Sequence, residues 1–143
     1  MSTIENKRDQ LVAELQAQPT KDDRFRLLVK KGKEMKTLPE ESKEDKFLVK
    51  GCMSRAWLVP SFDGQNVSFD ADSEATIVKG IISVLVGVYS GHTPDDILRV
   101  QPSFLRDAGI EEALSMNRRS GLANMIKQIQ LYAAAYKAIA SQT

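Results

Sequence analysis

The sequence predicts an α+β fold built as one domain over residues 1–143. Three observations carry that reading. Apolar residues recur at helical spacing in the first and last thirds of the chain. Between them, apolar and polar residues alternate around an Asp63-Gly64 turn, the pattern of a β-hairpin. A chain of 143 residues with 42% hydrophobic content can build a single core.

In order along the chain, Ser2 or Thr3 caps a first helix, whose buried face carries Ile4, Leu11 and Leu15 and which ends at Gln18-Pro19. Thr20 caps a second helix. Asp22 and Asp23 stand in its first turn, where the helix dipole favours anions; Phe25, Leu28 and Val29 form its buried stripe and Gly32 marks its end. Residues 36–46 are mostly charged and read as an exposed loop. Phe47, Leu48 and Val49 lead into Gly51-Cys52-Met53-Ser54. Residues 55–61 then form a strand, with Pro60 implying a free edge, and Val67 and Phe69 lie on the returning strand.

From Asp72 a further helix begins, with Asp72 or Ser73 as its cap and Glu74 in its first turn. Its residues Ile77 to Tyr89 are apolar on nearly every face, so it is the central buried helix. Gly80 and Gly87 on it would let a neighbouring backbone come close. Lys79, placed among these apolar residues, must snorkel or pair with an acid. Thr93-Pro94-Asp95-Asp96 starts another helix, with a cap, a proline at the first position and then anions. Short helices follow near 95–99, 103–107 and 109–113. A last helix from about Arg118 to Ala140 turns Leu122, Met125, Ile126, Ile129, Ala133 and Tyr136 inward.

Composition excludes several functions. Twenty basic residues face nineteen acidic ones, which leaves no surplus of cations for a nucleic-acid ligand or a polybasic membrane anchor. One Cys and one His cannot form an intramolecular disulfide, nor supply the about four ligands of a zinc or iron–sulfur site. The first residues are polar and lack a signal-peptide core. The longest apolar run, Ile81 to Tyr89, is far short of the roughly 20 residues needed to span a bilayer. A lone thiol and no export signal predict a cytoplasmic protein.

Chemistry is expected at Cys52. Gly51 permits a tight turn, and a thiol on such a loop can be presented to another molecule; the alternative is that Cys52 is a small buried hydrophobe. His92, in Ser90-Gly91-His92-Thr93-Pro94, is either the base of a Cys–His enzyme or an exposed turn residue. Arg118 and Arg119 oppose the dipole of the last helix, which invites a carboxylate or a partner beside them. Trp57 reads as core.

Three segments carry a resemblance. Lys50-Gly51-Cys52-Met53-Ser54-Arg55-Ala56-Trp57 matches Gly-Cys-x-Ser-x-x-Trp, the signature of the SufE family of sulfur acceptors for cysteine desulfurases. Asp72-Ser73-Glu74-Ala75-Thr76-Ile77-Val78-Lys79-Gly80 resembles the family's second motif. Leu114-Ser115-Met116-Asn117-Arg118-Arg119-Ser120-Gly121-Leu122 resembles its third, with Arg118 at the family's distance from Gly121-Leu122. Met53 departs from the pattern, standing where a polar residue is common.

The resemblance implies a small antiparallel sheet of about three strands packed against helices, similar to the iron–sulfur scaffold proteins, with the cysteine on a loop at one end. It implies that Cys52 accepts persulfide sulfur from a pyridoxal-phosphate cysteine desulfurase, stimulates that enzyme and delivers sulfur to an iron–sulfur scaffold complex. Gly51, Ser54, Asp72, Lys79 and Arg118 would support the loop or contact the partner. The chain itself would need no cofactor or metal and would be an accessory protein, not an enzyme. The resting thiol should be sheltered by apolar neighbours, which raise a thiol pKa, with Gly51 as hinge for exposure on binding. The alternatives are a Cys52–His92 thiol hydrolase and a binding module that regulates a partner without taking sulfur.

Overall fold

The hairpin organises the molecule. In the computed structural model, which describes residues 3–50 and 54–141, β1 (Ala56–Phe62) and β2 (Val67–Ser73) pair antiparallel from Ala56↔Ser73 to Phe62↔Val67. At the turn between them the Asp63 carboxylate accepts from the N–H groups of Gln65 and Asn66, and Gly64 takes a positive φ of 97° that disfavours a side chain. The sheet among the described residues has two strands rather than about three. The Phe47-Leu48-Val49 segment reaches β1 only as a bridge between Leu48 and Trp57, because tight turns at Glu40–Ser42 and Asp45–Phe47 curl the preceding chain. Pro60 pairs with Phe69 and, lacking an N–H, sits where that third segment no longer runs alongside β1.

Helices cover this ribbon. α1 (Ile4–Gln16) is capped by Thr3 and α2 (Lys21–Glu34) by Thr20, each side-chain oxygen accepting from an N–H three residues on. α3 (Thr76–Tyr89) is the central helix; α4 (Pro94–Arg99) is capped by Thr93, and α5 (Phe104–Asp107) is a single turn. The segment expected as a helix over 109–113 is instead a 3-10 turn, Glu111–Ala113. α6 (Met116–Ala140) starts two residues before the expected Arg118, because Ser115 supplies the cap. The central α3 touches α1, α2, α6 and β2. The inner residues of α6, Met125, Ile129 and Ala133, are fully buried, and Tyr136 stacks on Phe62 of β1 at 4.8 Å. One apolar cluster runs through the fold from Ile4 to Ala133.

Several expectations are corrected. Gly32 does not end α2: it lies inside the helix, where a Cβ would come within 2.6 Å of Gly80 N on α3. At Gly80 a Cβ would overlap the Leu28 carbonyl, so α2 and α3 cross with backbone against backbone. Phe25, placed in the buried stripe, is 43% exposed, since α2 turns Leu28 inward instead. The 36–46 loop is not wholly exposed, as Leu38 is buried. Asp72 and Ser73 do not cap α3. They are the last two residues of β2, and α3 begins at Thr76 behind Ala75, which offers no capping side chain.

Candidate functional site

The 50–55 segment joins the arm from α2 to β1 at the Ala56–Ser73 end of the hairpin. Gly51 and Cys52, the centre of the sequence expectations, and Met53 lie outside the described residues, and so does the expectation of a sheltered thiol hinged at Gly51. The residues on either side are held firmly. Val49 N–H donates to the Ala56 carbonyl at 2.8 Å, and the Lys50 carbonyl accepts from Asn124 Nδ2 on α6 at 2.7 Å. On the far side, Arg55 N–H donates to Glu74 Oε1 while the Arg55 carbonyl accepts from Glu74 N–H and Ser73 Oγ. Arg55 Nη2 closes a 2.8 Å ion pair with Glu74 Oε2. The Arg55 bonds hold the Glu74 carboxyl below its ordinary range. Glu74, expected in the first turn of a helix, thus pins the start of β1.

Beneath this end sits a buried carboxylate. Asp72 is 3% exposed and lies opposite Trp57 in the strand register. Its Oδ1 accepts from Ser73 N–H at 2.8 Å and meets Lys79 Nζ at 3.2 Å. Its Oδ2 accepts from Leu38 N–H at 3.2 Å and faces Lys43 Nζ at 3.7 Å. Burial by itself pushes the Asp72 carboxyl up, but the two N–H donors and the Lys79 ammonium prevail and hold it below the usual carboxylate range. Lys79 therefore meets an acid, and the pair ties β2 to α3.

Lys43 also binds Glu40 at 3.1 Å, which raises the lysine's pKa, and stands 5.4 Å from the centroid of the buried Trp57 ring. Arg55 lies at the same distance from that ring. Sequence reasoning missed Lys43, Leu38 and Asn124 as members of this end. No local pattern links the Leu38 amide to a strand carboxylate 34 residues away, or the Lys43 cation to the same group.

Beside the loop, an apolar cleft opens between α3 and the start of α6. Ile81, Leu114, Leu122 and Met125 line it, with Ser54 and Arg118 at its polar positions. The doubled arginine splits in two directions. Arg118 faces this cleft; Arg119 Nε donates to the Glu111 carbonyl at 3.0 Å and lines a separate groove toward α5. Of the sequence-predicted residues, the structure brings Ser54 and Arg118 to one cleft and Asp72 and Lys79 to one ion pair nearby.

His92 is not part of this end. Its carbonyl accepts from Val67 N–H at 2.8 Å, at the opposite end of β2. Val67 and Ser73 are six residues apart in an extended strand, roughly 20 Å. Among the described residues, no group of three or more His, Cys, Asp or Glu side chains is placed to hold a metal ion.

A family model described as "SufE: Fe-S metabolism associated domain" matches residues 9–133, and the chain belongs to the SufE family. It is 37% identical over 100 residues to "SufE-like protein 1, chloroplastic/mitochondrial" of Arabidopsis thaliana, covering 69% of this chain and 27% of that protein. It is 31% identical over 105 residues to "Cysteine desulfuration protein SufE" of Plasmodium vivax, covering 71% of this chain and 41% of that one. The chain thus spans less than half the length of either relative. A solution structure of a hypothetical protein from Thermus thermophilus shares the fold, with a TM-score of 0.78 at 22% identity over 92% of this chain and 96% of that one. Among the described residues, no helix is long and apolar enough to cross a membrane.

Proposed function

We propose that this chain is a sulfur carrier that acts with a cysteine desulfurase in the cytoplasm. The Cys52 thiolate attacks the outer sulfur of the enzyme's cysteine persulfide. A new S–S bond forms at Cys52 Sγ, the S–S bond in the enzyme breaks, and the enzyme's cysteine leaves as a thiolate. The persulfide proton travels with the transferred sulfur, so no external oxidant or reductant is consumed. Accepting the sulfur frees the desulfurase for another turnover, which is how the chain stimulates it without being an enzyme. The sulfur then passes to an iron–sulfur scaffold complex.

The observation that supports this reading most is the pair of clamps around the 50–55 segment. Val49–Ala56 on one side and Arg55–Glu74 on the other fix the described residues that flank Gly51-Cys52-Met53. With its flanks fixed in this way, a thiol between them can be offered to another protein without disturbing the core. Ser54, directly after Met53, lines the apolar cleft, and Arg118 supplies a cation beside it for an anionic group on the partner. The family's association with Fe–S metabolism and the printed name of the Plasmodium relative point the same way.

The test is the intact mass of the protein after incubation with a purified cysteine desulfurase and cysteine. One added sulfur, absent in Cys52→Ser, is expected. An unchanged mass together with undiminished stimulation of the enzyme would establish a regulatory binding module instead. The Cys–His hydrolase is disfavoured by the position of His92 at the far end of β2.

A further inference from the structure

α6 is unusual in its outward face. Four large hydrophobic side chains are exposed among the described residues, and three of them are on this helix: Met116 at 77%, Leu131 at 52% and Ile139 at 53%. Ala123, Lys127, Leu131, Ala134 and Ala138 follow one another at spacings of four, four, three and four, so they form one line along the exposed side. Apart from Lys127 and Leu131 this line is alanine. Short side chains let a second helix approach to the roughly 8 Å lower limit of interaxial distance.

Charge specifies what would cover the face. From Leu114 to the last residue there is no Asp or Glu; of the four cations there, Lys127 and Lys137 lie on the proposed face, while Arg118 faces the cleft and Arg119 the Glu111 carbonyl. Among the described residues, only Lys137 of these four has an acidic partner, Asp95 at 2.8 Å. The rest of the chain holds sixteen basic against nineteen acidic residues, so positive charge is concentrated on this helix. A second copy would set one acid-free helix against another. A partner with Asp and Glu around an apolar ridge would be complementary.

Location separates this face from the desulfurase. An interface of standard size, about 800 Å² per partner, extends roughly 16 Å from its centre. Leu131 lies thirteen residues beyond Arg118 along the helix, about 20 Å, and Ile139 lies about 30 Å beyond it. A desulfurase seated over the loop and cleft leaves the outer half of α6 uncovered.

We propose that the outer face of α6 from Lys127 to Ile139 docks the protein that receives the sulfur, through an acid-rimmed apolar surface on that protein. The inference rests on the carrier reading and adds a second, separate interface to it. With that interface the recipient can be held while the loop is still engaged with the donor.

The experiment measures binding of a purified iron–sulfur scaffold complex to the chain, before and after loading with sulfur, at low and raised salt. Leu131→Glu should weaken binding at least tenfold. Lys127→Glu should weaken it several-fold and flatten the salt dependence. Both variants should bind desulfurase and load sulfur as the wild type does, and circular dichroism should show their helices intact. Scaffold binding unchanged in both variants overturns the proposal. So does loss of desulfurase binding in Leu131→Glu, which would make this face part of the donor interface. A dimer in sedimentation that Leu131→Glu dissociates would assign the face to a second copy. Failure of Cys52 to load is a separate result that defeats the carrier reading, and binding by the unloaded chain still tests the surface.

Discussion

Asp72 Oδ1 stands 3.2 Å from Lys79 Nζ, and this contact joins the end of the hairpin ladder to the first turn of the central helix. The same carboxylate holds Leu38 N–H and Lys43 through its other oxygen. Three chain segments that surround the candidate loop therefore converge on one buried negative charge. Removing that charge leaves the partly covered Lys79 ammonium without its acid, while Lys43 keeps Glu40 at 3.1 Å.

Asp72→Asn should accordingly cost about 2 kcal/mol in urea unfolding at neutral pH, the range for a hydrogen-bonded charge lost from a covered site. The pH dependence has a definite sign. The folded carboxyl titrates below its unfolded value of about 3.9. Its stabilisation is complete above that value and is lost as pH falls through the lower folded one. The Asn variant should therefore show a shallower loss of stability than the wild type as pH falls below about 4. Parallel acid limbs would show that Asp72 titrates normally.

Gly80→Ala and Gly87→Ala should differ sharply although both lie on α3. At Gly80 the added carbon meets the Leu28 carbonyl, and backbone cannot step aside. The expected loss is about 3 kcal/mol, the upper part of the range for overpacking. At Gly87 it meets only Leu11 Cδ1 at 3.3 Å, the tip of a flexible side chain. There the gain in helix propensity, up to about 1 kcal/mol, should leave stability unchanged or raised. Denaturant midpoints of the two variants settle the comparison.

His92→Ala should leave sulfur acceptance within tenfold of wild type, about 1.4 kcal/mol of barrier. His92 is bridged to Val67, roughly 20 Å along β2 from the candidate loop. A larger loss in the rate of Cys52 loading would restore a Cys–His mechanism.

Arg118→Ala should raise the chain concentration needed for half-maximal stimulation of a desulfurase about tenfold. An arginine at the rim of an apolar cleft is the kind of residue on which binding energy concentrates. Arg119→Ala should leave stimulation unchanged, because its guanidinium is engaged with the Glu111 carbonyl on the other side of the helix. Equal effects of the two substitutions would contradict the division of roles.

Local signals were legible from residue order alone. Thr3, Thr20 and Thr93 cap helices because a hydroxyl reaches an N–H three residues on, and that geometry needs nothing outside the turn. Asp63-Gly64 specifies the hairpin for the same reason. The motifs around Cys52, Asp72 and Arg118 likewise identify the family without coordinates.

Where a feature depends on partners distant in the chain, tertiary structure decided it. Asp72 carries the signature of a helix cap, yet it ends a strand, because Leu38, Lys43 and Lys79 offer its carboxylate more than a helix terminus would. Gly32 has the signature of a helix end, yet α2 continues past it, because the missing side chain is used to admit Gly80. Phe25 fits an apolar stripe but remains 43% exposed, because α2 meets α3 through Leu28 and Gly32. Sequence periodicity reports which residues share a face; only packing determines which part of that face another element covers, since burial depends on neighbours that spacing does not encode.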